Sequence, residues 1–272
     1  EFKKDSTDRN RTSPFAFTGN KFEFRMLGSA FSIAGPSIVL NTIVADELAA
    51  FADRLEGAGD PAAETDAILR DAIRAHRRIL FNGNNYSDEW VREAEKRGLL
   101  NMRTSVDALP LFVSDENIEL FTKHGIFTET EMRSRCEILL ETYEKTSLIE
   151  AKTMLDMVKK SVLPAAYGYI NELCALAQSK KSLGIAAGKD ASVKAAGKLA
   201  GLTDELYGEA EKLGASIETA EAASDVMDKC RYVRDTLLPQ MAKVRAAADA
   251  IEADTAAERW PYPTYEKLLF GV

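Results

Sequence analysis

The sequence predicts a mainly α protein with a short β segment near its start and a bundle of long helices after it. Three observations carry that reading. The stretch "NKFEFRMLG", residues 20–28, alternates charged and apolar side chains with the period of two that a strand requires. After Pro36 the apolar residues recur every three or four positions, the spacing of one helical face. From Thr128 such a stripe continues toward Leu183, a segment that would reach roughly 80 Å if straight, at about 1.5 Å per residue. That exceeds a compact domain and calls for antiparallel packing.

Each element has its own signal. "DRNRTSPFAFTGN" reads as loop and turn leading into a strand over 20–27. Leu40, Ile43, Val44, Leu48, Phe51 and Leu55 mark the first helix, with "EGAGDP" as a glycine stop. Asp60 followed by Pro61 is an N-cap before a proline whose missing N–H is not needed there, opening a helix to about Leu80. Ser87 caps "DEWVREAEKR" up to Gly98, and Ser114 caps "ENIELFTKH" up to Gly125. Thr128 and Glu131 form a capping box at the head of the long stripe, in which Pro164 should kink or divide the helix. Two more helices, roughly 190–213 and 215–254, return along it, the second interrupted at Pro239. The ending "RWPYPTYEKLLFGV" is neither helical nor polar and is expected to dock on something.

Composition narrows the function classes. Of 272 residues, 46% are hydrophobic and 29% charged, ordinary for one large or two smaller globular domains. The 43 acidic residues outnumber 35 Lys and Arg, leaving a net charge of −8, and the cations form no stripe. Nucleic acid is therefore not an expected partner. No apolar run approaches the roughly 20 residues of a membrane span, and cytoplasmic location is the expectation. Cys136, Cys174 and Cys230 are odd in number and far apart, each in a helical pattern, which predicts three buried or half-buried free thiols. The first residue is Glu1, so a processed chain or a piece of a longer one is expected.

The chemistry concentrates in the strand. Lys21, Glu23 and Arg25 fall on one face of it, and Arg9 and Arg11 stand just upstream. One reading is a solvated face with cross-strand ion pairs. The other is a polyanion and metal site, in which a carboxylate holds a divalent cation while flanking cations grip phosphate or carboxylate oxygens. Other motifs are weaker. "GIAAGKDAS", residues 184–192, is one residue short of a phosphate loop and has Asp190 where Ser or Thr would reach magnesium, so a helix break is favoured. His76 and His124 have no partner at metal-ligand spacing, and Trp90 reads as a packing anchor.

The strand decides between the two readings through a resemblance. "DRNRTSPFAFTGNKFEFRMLGS", "FNGNNYSDEWVREAEKRGLLNMRTSVDALP" and the ending "WPYPTYEKLLFGV" resemble, in order, segments of type III glutamine synthetases, and the likeness covers essentially the whole chain. It implies that residues 1–58 are the C-terminal end of a glutamine-synthetase-like α+β catalytic domain and 59–272 a helical C-terminal region with a docking tail. By the same resemblance Arg11 contacts ATP phosphates and the glutamyl phosphate, Lys21 contacts nucleotide, Glu23 is a ligand of catalytic Mg2+ or Mn2+, and Arg25 holds substrate glutamate. Glutamate, ammonia and ATP are the implied substrates, and a homo-oligomer, a dodecamer of two stacked hexameric rings, the implied assembly.

There are departures. The family's other metal ligands, its ammonium-site acid and its main nucleotide-binding residues precede this motif and are not in the chain, so the piece alone is expected to be inactive. Pro14 and Phe15 stand where bacterial type I enzymes carry a second arginine, so the ATP contacts do not transfer in full. The alternative is a non-enzymatic helical scaffold or oligomerisation module in which "KFEFR" is only a charged strand.

Overall fold

A computed structural model of the chain describes residues 15–17, 22–24, 28, 31–80, 87–185 and 190–270. The described residues are mostly helical. Two three-residue strands, β1 (Phe15–Phe17) and β2 (Phe22–Phe24), pair antiparallel with Ala16 opposite Glu23. The helices divide between two compact units, one of residues 1–103 and 113–132, the other of 104–112 and 133–272.

In the first unit α1 (Ala34–Glu56) packs against α2 (Pro61–Ala75) and α5 (Asp115–Lys123). Pro36 lies in the first turn of α1, where a missing N–H is tolerated, so the helix begins two residues before it. The α1 stop does not use a left-handed glycine, since Gly57 keeps φ at −82°. Asp60 caps α2 as expected, its Oδ1 accepting from the amides of Ala62 and Ala63. The helix ends at Ala75 and a short 3₁₀ turn, Arg77–Ile79, replaces the last turn expected from sequence. Gly98 and Gly125 do take left-handed φ, 72° and 62°, after α3 (Asp88–Lys96) and α5. Each lets the next amide reach back five residues, Leu99 to Ala94 and Ile126 to Phe121. The apolar stripe of α1 is only partly covered: Ile43 is 45% and Leu48 60% exposed.

The second unit holds the main core. It contains α4 (Ser105–Phe112), which the sequence reading missed because Pro110 lies inside it. The Thr128 and Glu131 capping box forms reciprocally at the head of α6 (Glu129–Met157). Helix α8 (Ala191–Ala222) packs against both α7 (Leu163–Ser182) and α10 (Leu238–Asp254). Its buried positions run Ser192, Ala196, Leu199, Thr203, Leu206, Ala210, Leu213, Ile217 and Ala220, alternating steps of four and three as in a coiled-coil seam. The expected break near Gly214 is absent. A side chain there would only touch Leu155, and the helix runs on to Ala222 before α9 (Val226–Tyr232).

Pro164 and Pro239 stand in the first turns of α7 and α10, so each marks a division between helical segments, as expected for Pro164. Each follows a wide five-residue turn, Val158–Val162 or Val233–Leu237, in which the amide of Leu163 or Leu238 reaches the carbonyl five residues back. The two turns share a sequence order, "VKKSVLP" and "VRDTLLP". Widening the turn makes room for the proline ring while the helical segments follow one another without a loop. The tail also departs from expectation, because Tyr265–Phe270 forms a short helix, α11. Trp260 and Tyr262 pack against the core, edge to face at 6.3 Å, while Leu268, Leu269 and Phe270 stay exposed.

Candidate functional site

The residues singled out for chemistry lie at the edge of what the structure describes. Arg9, Arg11, Lys21 and Arg25 are outside the described residues, and so are positions 20 and 25–27 of the expected strand. Glu23 is in β2, and its backbone is paired with Ala16 in a register that also matches Phe15 with Phe24 and Phe17 with Phe22. The antiparallel return therefore brings the backbone of "FAF" beside that of "FEF" within one short hairpin. Among the described residues no group of three or more His, Cys, Asp or Glu is arranged to hold a metal. One carboxylate cannot complete the six-ligand shell of Mg2+, so a metal at Glu23 would need ligands beyond the described residues.

Three polar clusters elsewhere are structural in character. In the first unit Asp46 Oδ1 accepts from Lys123 Nζ at 2.6 Å and lies 2.8 Å from His124 Nε2. The Lys123 hydrogen bond, with the His124 contact second, holds the Asp46 carboxyl below the usual carboxylate range. In the second unit Asp190 caps α8. The Ser192 hydroxyl at 2.5 Å and Lys180 Nζ at 3.0 Å lower its pKa, the hydroxyl most. This cluster occupies the end of "GIAAGKDAS", Gly184 with φ of 68° stands at its start, and α7 ends at Ser182 before α8 begins at Ala191, a helix break as expected. Arg234, on the second wide turn, donates to Asp235 and to Asp107 of α4 at 2.6 Å, which ties α4 to that turn. The one hydroxyl among them, Ser192, meets a carboxylate that also accepts from the Ser192 amide and is paired with Lys180, the pattern of a helix cap. The links Asp46 to His124 and Arg234 to Asp107 span too much sequence to be read from local spacing, and no motif announced them.

The thiols are free, and one expectation about them is corrected. Cys136 and Cys230 are buried and donate to the carbonyls of Leu109 and Leu140, whereas Cys174 is exposed. It lies on α7 at the margin of the contact with α8, lining an open groove with Ile170, Val193 and Gly197, so helical periodicity alone does not bury it. Burial, with Glu144 adding second, pushes the Cys230 thiol up to about 11. No helix among the described residues is long and apolar enough to cross a membrane.

Comparison with known proteins places the chain. A family model described as the glutamine synthetase C-terminal domain matches residues 64–181. A protein named glutamine synthetase from Butyrivibrio fibrisolvens is 40% identical over all of the chain, and one named type-3 glutamine synthetase from Dictyostelium discoideum is 36% identical over 98% of it. A glutamine synthetase from Bacteroides fragilis is 33% identical over 98%. The chain spans 39%, 37% and 38% of the lengths of these three relatives. The likeness is continuous through the strands, the helices and the tail alike: along its whole length the chain is similar to glutamine synthetases, a type-3 member among them, and its residues 64–181 match the glutamine synthetase C-terminal domain.

Proposed function

We propose that the chain is the C-terminal part of an ATP-dependent glutamate–ammonia ligase, the last stretch of its catalytic barrel followed by the helical region. The observation that carries this is likeness to glutamine synthetases along the whole chain, combined with the chain's span of about two fifths of those relatives. The exposed Ile43 and Leu48 on α1 agree with it, since a helix that carries an apolar stripe without a full covering is suited to further protein.

In this reading residues 1–58 end the catalytic domain and supply one wall of the site. Glu23 would be one ligand of Mg2+ or Mn2+, whose chemistry is to offset charge on the phosphates of ATP and on γ-glutamyl phosphate. Arg11 would stabilise phosphoryl oxygens, Lys21 would contact nucleotide, and Arg25 would hold the glutamate carboxylate by a bidentate grip. Ligation needs all of these with ammonia delivered beside them, so this chain alone would be inactive. A cytoplasmic homo-oligomer, with two hexameric rings making a dodecamer, fits the same reading.

The test is Glu23→Gln in the full-length enzyme. The substitution keeps shape and removes a charge, so the metal concentration for half-maximal activity should rise at least tenfold and turnover should fall, with an unchanged melting temperature. Normal metal dependence would return Glu23 to a structural ion pair. An inactive full-length wild type that still assembles would favour the scaffold.

A further inference from the structure

The second unit contains an open groove of about 690 Å3 between α6 with its wide turn and α10, bordered by the segment after α10. Val158, Val162 and Val244 lie in its lining and are buried, while Met154, Met157, Met241, Trp260 and Leu268 complete the apolar surface. Four charged residues line it: Glu150, Asp249, Glu252 and Arg245. Arg245 is paired with Asp249 at 2.5 Å, so the rim carries an acidic excess. The Tyr262 hydroxyl is buried in the lining and has no hydrogen-bond partner among the described residues.

The volume lies within the roughly 300–1,000 Å3 of small-molecule pockets, but the groove is not an enclosed site. Its apolar lining continues onto Ile149, 64% exposed, and Leu268, 63% exposed, with Leu269 and Phe270 exposed beyond. An elongated apolar track suits a polypeptide face more than a compact ligand. Methionines supply adaptable, polarizable walls for side chains of varied shape, and an acidic rim selects cations beside an apolar stripe. We propose that this groove seats a basic amphipathic helix. Its apolar face lies along the methionine-lined track, and its Lys or Arg residues meet Glu150, Asp249 and Glu252.

The experiment uses the 272-residue chain and a labelled synthetic helix with Leu at i, i+3, i+4 and i+7 and Lys at the other positions. Fluorescence anisotropy should show binding that weakens with added salt, at least tenfold weaker for the same peptide with Glu in place of Lys. The Glu150→Lys/Glu252→Lys double variant should lose at least tenfold in affinity. Glu137→Lys/Glu218→Lys, an equal charge change at exposed residues outside the groove, should lose less than threefold. In a Trp90→Phe background Trp260 is the remaining one of two tryptophans, and its emission should shift on binding. Circular dichroism verifies that each variant is folded. Absence of binding, equal affinity for the Glu peptide, equal loss in both double variants, or a silent Trp260 would overturn the proposal. So would a concentration-dependent dimer abolished by Leu268→Asp, which would make a second copy the occupant.

Discussion

The amide of Leu163 donates to the carbonyl of Val158, five residues back, in the turn that precedes Pro164. The same relation joins Leu238 to Val233 before Pro239. A proline in a regular helix interior removes one hydrogen bond and clashes with the preceding turn, at about 3 kcal/mol. The wide turn relieves the clash in advance. Pro164→Ala should therefore change stability by less than about 1 kcal/mol, whereas Ala175→Pro, in the regular and exposed middle of α7, should cost about 3 kcal/mol. Urea midpoints measure both. A gain near 3 kcal/mol from Pro164→Ala would mean that the wide turn leaves the strain in place.

The α8 seam makes a second prediction. Leu206 has no exposed surface, and Leu176 on α7 is 48% exposed. Truncating a buried leucine loses its transfer energy and leaves a cavity, so Leu206→Ala should cost about 2–5 kcal/mol and Leu176→Ala under about 1 kcal/mol. Similar losses at both sites would mean that the seam is not the core.

Thiol chemistry should separate the cysteines. Thiolate is the reactive form, and burial pushes both the Cys136 and Cys230 thiols up, Cys230 to about 11. At pH 8 a disulfide reagent should titrate one thiol rapidly, Cys174, and the other two only after denaturation. A Cys174→Ser variant with a fast thiol would contradict the burial pattern.

The capped helices were legible because their signals are local. Asp60 with Pro61, Thr128 with Glu131, and the glycines at 98 and 125 each act within one turn, and each forms the cap its sequence predicts. The α8 seam was harder to read, since five of its nine buried positions are Ser, Thr or Ala and resemble a solvated face. The large buried side chains Leu199, Leu206, Leu213 and Ile217 alternate with these small ones. Gly214 misled for the opposite reason: it sits where Leu155 approaches, and a helix tolerates glycine at about 1 kcal/mol when packing is continuous. Of the candidate site, the strand register around Glu23 is the part now described, and the roles of Arg11, Lys21, Glu23 and Arg25 rest on the motif.

Acid should weaken the link between α1 and α5. Lys123 and His124 depress the Asp46 carboxyl relative to the unfolded chain. A depressed carboxyl stabilises the fold above its unfolded value, near 4, and that contribution disappears as pH falls through the lower folded value. Asp46→Asn should thus reduce the melting temperature at pH 7 and converge with the wild type below about pH 3. A difference that is constant from pH 7 to 3 would show that Asp46 acts by shape alone.

The tail makes the last prediction, because its two halves differ in environment. Trp260 and Tyr262 pack on the core, whereas Leu268, Leu269 and Phe270 are exposed. At about 25 cal/mol per Å2 of apolar surface, removing two half-buried rings should cost about 2–4 kcal/mol, and removing exposed side chains almost nothing. Deleting 259–272 should therefore lower the melting temperature by several degrees, and deleting 265–272 should leave it within about a degree. If the outer half instead serves assembly, deleting 265–272 from the full-length enzyme should shrink the particle seen by light scattering while helicity is retained. Equal destabilisation by both deletions of the 272-residue chain would show that α11 belongs to the core, and the outer half would then be unavailable as a contact surface.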